Sequence, residues 1–216
     1  PSSSSAASDV YKRQDRQPEF TQIDIETAFL NAEEVMSITE GMVRSLFQEQ
    51  LEVGLGAFPR MTWADAMERY GSDKPDLRIA WELVSIDDLM AGVDFKVFSG
   101  PANDVDSRVA ALKVPGGASL SRKEIDDYTD YVGVYGAKGL AWIKVVGGDD
   151  AAGDAKLDAG VAKFLSADES SQVIAALEAQ PGDMVFLVAD ERRLVRHVLG
   201  LLRLELGKPC LLYTSD

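Results

Sequence analysis

Residues 16–24 read Arg-Gln-Pro-Glu-Phe-Thr-Gln-Ile-Asp and hold the side chains best suited to chemistry on a small molecule. The alternation from Phe20 to Ile25 predicts a strand. In a strand, Phe20, Gln22 and Asp24 share one face, and Thr21, Ile23 and Ile25 share the other. The second face is that of an ordinary half-buried strand. The first sets an aromatic ring, an amide and a carboxylate in a row. The ring offers a stacking surface such as a base would use. The amide offers a donor and an acceptor together. The carboxylate can take an ammonium through a charge-assisted hydrogen bond worth roughly 1.5–3 kcal/mol. An amphipathic strand with a solvated polar face is the other reading of the same alternation, and geometry alone leaves both open.

The elements around this segment follow from caps and periodicity. Asn31 is an N-cap with Glu34 as its capping-box partner, and Ile38, Met42 and Leu46 follow at i, i+4 spacing, which predicts a helix over 31–51. Thr62 caps a second, short helix with Asp65 in its first turn, and Gly71 ends it. Pro75 biases Lys74 to extended geometry, so residues 72–76 form a turn or loop.

A second unit begins near residue 93. Phe95 to Phe98 and Ala110 to Val114 are predicted as strands. Ser121 and Glu124 form a capping box, and Leu120 and Ile125 sit where a hydrophobic staple packs; this helix ends at Gly136. Leu140 to Val146 is a strand, residues 147–160 read as a mobile loop, and a helix starting at Ser166 closes before Pro181. Met184 to Val188 is a continuous apolar strand, and Glu191 to Leu206 a last helix ended by Gly207. Strands interleaved with helices predict an α/β-type sandwich for this unit.

Several classes of function lose support. The net charge of −14 argues against a broad phosphate-gripping surface. The single cysteine, Cys210, excludes a disulfide framework within the chain and any multi-cysteine zinc site, and fits a cytoplasmic protein. No apolar run approaches the ~20 residues that span a bilayer, so no membrane partner is expected. No metal-ligand spacing and no Walker-type glycine loop occurs, and Gly116-Gly117 and Gly147-Gly148 read as turns. His197, the one histidine, lacks a second histidine or a nucleophile to form a triad, and reads as an ordinary surface residue. Residues 1–14 (PSSSSAASDVYKRQ) and 210–216 (CLLYTSD) resemble translated adaptor sequence and are read as non-native tails.

Several segments resemble one family in order. Arg16 to Asp24 resembles the second strand of motif 2 of class II aminoacyl-tRNA synthetases, in its bacterial aspartyl form. Tyr70-Gly71-Ser72-Asp73-Lys74-Pro75-Asp76-Leu77-Arg78 resembles a characteristic stretch of the same enzymes. Phe98 to Asp104, Val109 to Leu120, Tyr135 to Ala141 and Leu201 to Gly207 resemble their inserted GAD domain, which also occurs in the B subunit of tRNA-dependent amidotransferases. The resemblance covers about residues 15–209.

The resemblance implies an α+β fold: a partial class II antiparallel sheet with helices over 15–92, followed by the inserted α/β GAD domain over 93–209. It implies aspartate–tRNA ligase chemistry, in which aspartate and ATP, with Mg²⁺, give aspartyl-adenylate, and the aspartyl group passes to tRNA(Asp). By the resemblance Phe20 stacks on adenine, Gln17 contacts ATP, Asp24 receives the α-ammonium of aspartate, and Gln22 lines the aspartate pocket. None of these is a general acid or base. It further implies that the parent is a homodimer, and that this chain alone, without motif 1, the motif 2 arginine and motif 3, does not catalyse the reaction. The alternative is a non-enzymatic, tRNA-interacting GAD module.

Overall fold

The computed structural model describes residues 23–147, 155–158 and 160–212, with side chains described up to Lys208. The chain divides into two compact units, residues 1–59 and 60–216.

In the first unit, helix α1 spans Ala32–Leu51. The Asn31 side chain accepts from the Glu34 amide, and the Glu34 carboxylate accepts from the Asn31 amide at 2.7 Å, so the expected capping box forms. Arg44 donates to the Leu55 carbonyl at 2.8 Å and lies over the Phe58 ring, folding the following loop back on the helix. Ile23 to Ile25, the described part of the expected strand, form no strand, and both isoleucines are exposed. Alternation supplies a strand's faces but not its hydrogen-bonding partner, and no ladder forms there among the described residues.

The second unit is built on a five-stranded sheet in the order β1-β2-β5-β3-β4. Its strands are β1 (Leu83–Ser85), β2 (Ser107–Val114), β3 (Ala141–Gly147), β4 (Ala155–Asp158) and β5 (Met184–Glu191). Every pairing is antiparallel, so the class is α+β even though helices and strands alternate along the chain. β1 lies before residue 93, where sequence places the start of the second unit, and pairs Leu83 with Leu112.

Helices cover both faces of this sheet. Ala110, Leu112 and Val114 of β2 and Met184, Phe186 and Val188 of β5 point to one side, where they meet α5 (Arg122–Val134) and α7 (Arg192–Leu212). Val109 and Ala111, with Val185 and Leu187, point to the other, toward α3 (Asp87–Met90), α4 (Lys96–Ala102) and α6 (Ala167–Leu177). Val109–Leu112 of β2 and Met184–Val188 of β5 are therefore apolar without alternation, the mark of a strand buried on two faces. The capping boxes at Ser121 and Ser166 start α5 and α6. Helix α2 (Trp63–Tyr70), capped by Thr62, packs against α7.

Three sequence expectations fail here. Phe95 to Phe98 is not a strand. Lys96–Ala102 is helical, because Phe95, Phe98 and Ala102 meet the core at i, i+3, i+7 spacing. The expected loop 147–160 contains β4, whose one buried residue is Leu157. Residues 148–154 and 159 of that loop lie outside the described residues. Helix α7 does not stop at Gly207 but runs to Leu212. Gly207 serves packing rather than capping, since a Cβ there would land on the Ile79 side chain. Among the described residues, no helix is long and apolar enough to cross a membrane.

Candidate functional site

Of the predicted small-molecule residues, Gln17, Phe20 and Gln22 lie outside the described residues. Asp24 is described and exposed. The functional features that the described chain does assemble centre on α7 and the segments pressed against it.

The stretch from Tyr70 to Glu82 is strapped onto α7. Gly71 makes this possible with φ +68°, and a side chain there would collide with the Arg196 carbonyl. Gly200 completes the notch, because a Cβ on it would sit 2.9 Å from the carbonyl oxygens of both Tyr70 and Gly71. Arg203, 1% exposed, then clamps the strap from the helix side. Its Nε donates to the Trp81 carbonyl at 2.6 Å, and its Nη2 donates to the carbonyls of Asp76, at 2.8 Å, and Ile79. Its guanidinium also lies 4.8 Å from the Tyr70 ring centroid, within cation–π range. Burial pushes the Arg203 guanidinium below its ordinary pKa, and Tyr70, Asp76 and Glu82 oppose that.

Two exposed ion pairs hold the same strap. Arg69 donates through Nε at 2.8 Å and through Nη2 to Glu82, and this holds Glu82 below the usual carboxylate range. Arg78 donates to Asp76 and lowers that carboxyl to about 2. Residues 72–76 form no helix or strand, as the sequence predicts, and the strap as a whole is a fixed structure rather than a free loop.

A second cluster lies beside the first turns of α7. Arg108 projects from the second position of β2 and is fully buried. Its Nη2 pairs with Glu68 at 2.8 Å, and Arg196 pairs with the other oxygen of the same carboxylate. One carboxylate thus serves two guanidinium groups. Arg108 Nε and Nη1 and Arg196 Nε are buried without a hydrogen-bond partner. Burial lowers the Arg108 pKa, with Glu68 opposing and Arg196 reinforcing the shift. Sequence reading passed over Arg108, although a charge set directly before the apolar run Val109–Leu112 was the available signal.

Two adjoining grooves run over the start of α7, both lined by Glu191 and Arg193. One continues past Val105, Asp106, Arg192 and Arg196. The other continues past Met67, Gly71, Leu194 and His197. His197 is exposed, and its ring meets Tyr135 edge-on at 5.9 Å. A third cavity is lined mainly by apolar side chains such as Phe95, Phe98 and Leu140, with the Lys138–Asp190 ion pair also lining it. No group of three His, Cys, Asp or Glu side chains among the described residues is placed to hold a metal ion.

The second unit is therefore an α+β domain whose antiparallel sheet is covered on both faces. Residues 98–199 match the GAD domain family. These residues form a GAD domain, a module seen in aspartyl- and lysyl-tRNA synthetases and in GatB-like proteins. The match lies within the stretch 93–209 that resembled this domain in sequence.

Proposed function

We propose that this chain is part of an aspartate–tRNA ligase, which activates L-aspartate with ATP and transfers it to tRNA(Asp) in the cytoplasm. The observation that carries the reading is the order of segments on one chain. A motif-2-like segment at 16–24 and the stretch 70–78 precede a GAD domain at 98–199. An amidotransferase module would have no use for the first of these.

In this reading Phe20 stacks on adenine, Gln17 contacts ATP, Gln22 lines the aspartate pocket, and Asp24 takes the substrate ammonium. Their work is positioning and charge complementarity rather than proton transfer. Mg²⁺ accompanies ATP and screens its phosphates, and no carboxylate of the described chain is assigned to it. The parent enzyme works as a homodimer.

The role of Asp24 is tested in the full reading frame that carries this chain. One charge-assisted hydrogen bond of roughly 1.5–3 kcal/mol corresponds to about a 10- to 150-fold change in affinity. Asp24→Ala should raise the KM for aspartate by that factor and leave the KM for ATP within about threefold. Equal weakening of both substrates would sink the assignment.

A further inference from the structure

We propose that the paired grooves over the first two turns of α7 bind the phosphodiester backbone of an RNA strand. The sequence places Arg192, Arg193, Arg196 and His197 within six consecutive positions of a chain whose net charge is −14. Helix α7 has no acidic residue in its first turn, whereas the longer helices α1, α5 and α6 and the short α2 all have one or more. Cations at a helix N-terminus oppose the helix dipole, at a cost of some tenths of a kcal/mol each. An anion seated there would be favoured by the dipole and by the arginines together.

Three further observations place a ligand in these grooves. Arg193 is exposed and has no hydrogen-bond or ion-pair partner among the described residues, so its five donors are available to a phosphate. Behind it, Arg108 and Arg196 share one carboxylate and leave buried guanidinium nitrogens without acceptors. Two guanidinium groups beneath the grooves thus share one carboxylate at contact distance. The two grooves also join through Glu191 and Arg193, giving an extended track rather than a pocket for one anion.

The occupant follows from what lies along the track. The edge-on Tyr135–His197 pair, with Tyr135 39% exposed, stands beside it and offers a surface on which an unpaired base can stack. An acidic protein would use the arginines and leave that pair idle. Asp106 and Glu191 also line the track, so contact is confined to the arginine edge and the affinity stays modest. Choosing RNA over other polyanions rests on the ligase reading. The place of the site rests on the geometry.

The test is fluorescence anisotropy of the full chain with a labelled tRNA(Asp) transcript across a salt series. Wild type should bind with log K falling linearly in log salt. Arg193→Ala should weaken binding and reduce that slope by about one. Arg193→Glu should weaken binding further, and Glu191→Gln should tighten it, a gain that misfolding cannot imitate. Both positions are exposed, so urea midpoints should stay at the wild-type value.

The proposal is overturned if wild type does not bind the transcript, or if the Arg193 variants bind as wild type does. It is also overturned if inorganic phosphate or polyglutamate at equal charge displaces the transcript as well as unlabelled RNA does. The ligase reading is tested by pyrophosphate exchange, which needs no RNA, so the two can fail separately.

Discussion

Replacing Arg203 by alanine isolates the contact that joins the 70–82 strap to α7. The wild-type guanidinium makes charge-assisted hydrogen bonds to the carbonyls of Asp76, Ile79 and Trp81 and lies over the Tyr70 ring. Hydrogen bonds to a charged group are worth about 1.5–3 kcal/mol each. The carbonyls of Asp76 and Trp81 belong to half-buried residues and recover water when the arginine is removed, so they return much of that. Ile79 is buried, and its carbonyl does not recover. Adding the void left by a fully buried side chain gives a loss of about 3–5 kcal/mol. Set against a typical total of about 5–15 kcal/mol, this is a severe defect. Arg203→Lys should recover little, since an ammonium cannot present the same fork. Arg78→Ala is the matched control. Its partner is Asp76, its side chain is 73% exposed, and its loss should leave the urea midpoint near the wild-type value. Urea unfolding gives the free energies, and amide exchange at residues 76–82 shows whether the strap opens first. A loss under about 1 kcal/mol for Arg203→Ala, with an unchanged m-value, would refute the clamp.

Glu68→Gln should cost about 1–3 kcal/mol by leaving the buried Arg108 without its carboxylate. Adding Arg108→Met should restore much of the loss, which a double-mutant cycle in urea would measure. Asp76 should titrate near 2 by NMR and move up toward its ordinary 3.8 in Arg78→Ala, because the Arg78 hydrogen bond is the main cause of the depression. Since the folded value lies below the unfolded one, the unfolded chain binds more protons between them. The stability from this pair is therefore fully present above about pH 4 and is lost as the pH falls toward 2. The same direction applies to Glu82, held low by Arg69, and unfolding midpoints measured from pH 5 to 2 should fall throughout that range.

Local signals made much of the fold legible. Asn31, Thr62, Ser121 and Ser166 each cap the helix that sequence assigned to them, because a cap needs only residues within one turn. Met184 to Val188 reads as a buried strand because both faces of β5 are covered. Failures arose where tertiary contacts decide the outcome. Phe95 to Phe98 is too short for its period to be read, and packing made it helical. Gly207 carries the signature of a helix end but is small because Ile79 presses on it. The clamp and the shared carboxylate were not legible at all. Arg203 lies more than a hundred positions from the carbonyls it holds, and nothing local distinguishes it from a surface arginine. Arg108 alone left a trace, as a charge where the strand pattern demands an apolar residue.

The central claim is that this chain belongs to an enzyme that activates aspartate. Pyrophosphate exchange into ATP by the full reading frame tests it most directly, with aspartate, asparagine and lysine compared as the amino acid. Exchange that depends on aspartate and is at least about a hundredfold weaker with the other two is the predicted result, because a site built to pair a substrate's charged groups rejects analogues that leave those partners unpaired. Exchange driven by lysine, or by none of the three, would contradict the account.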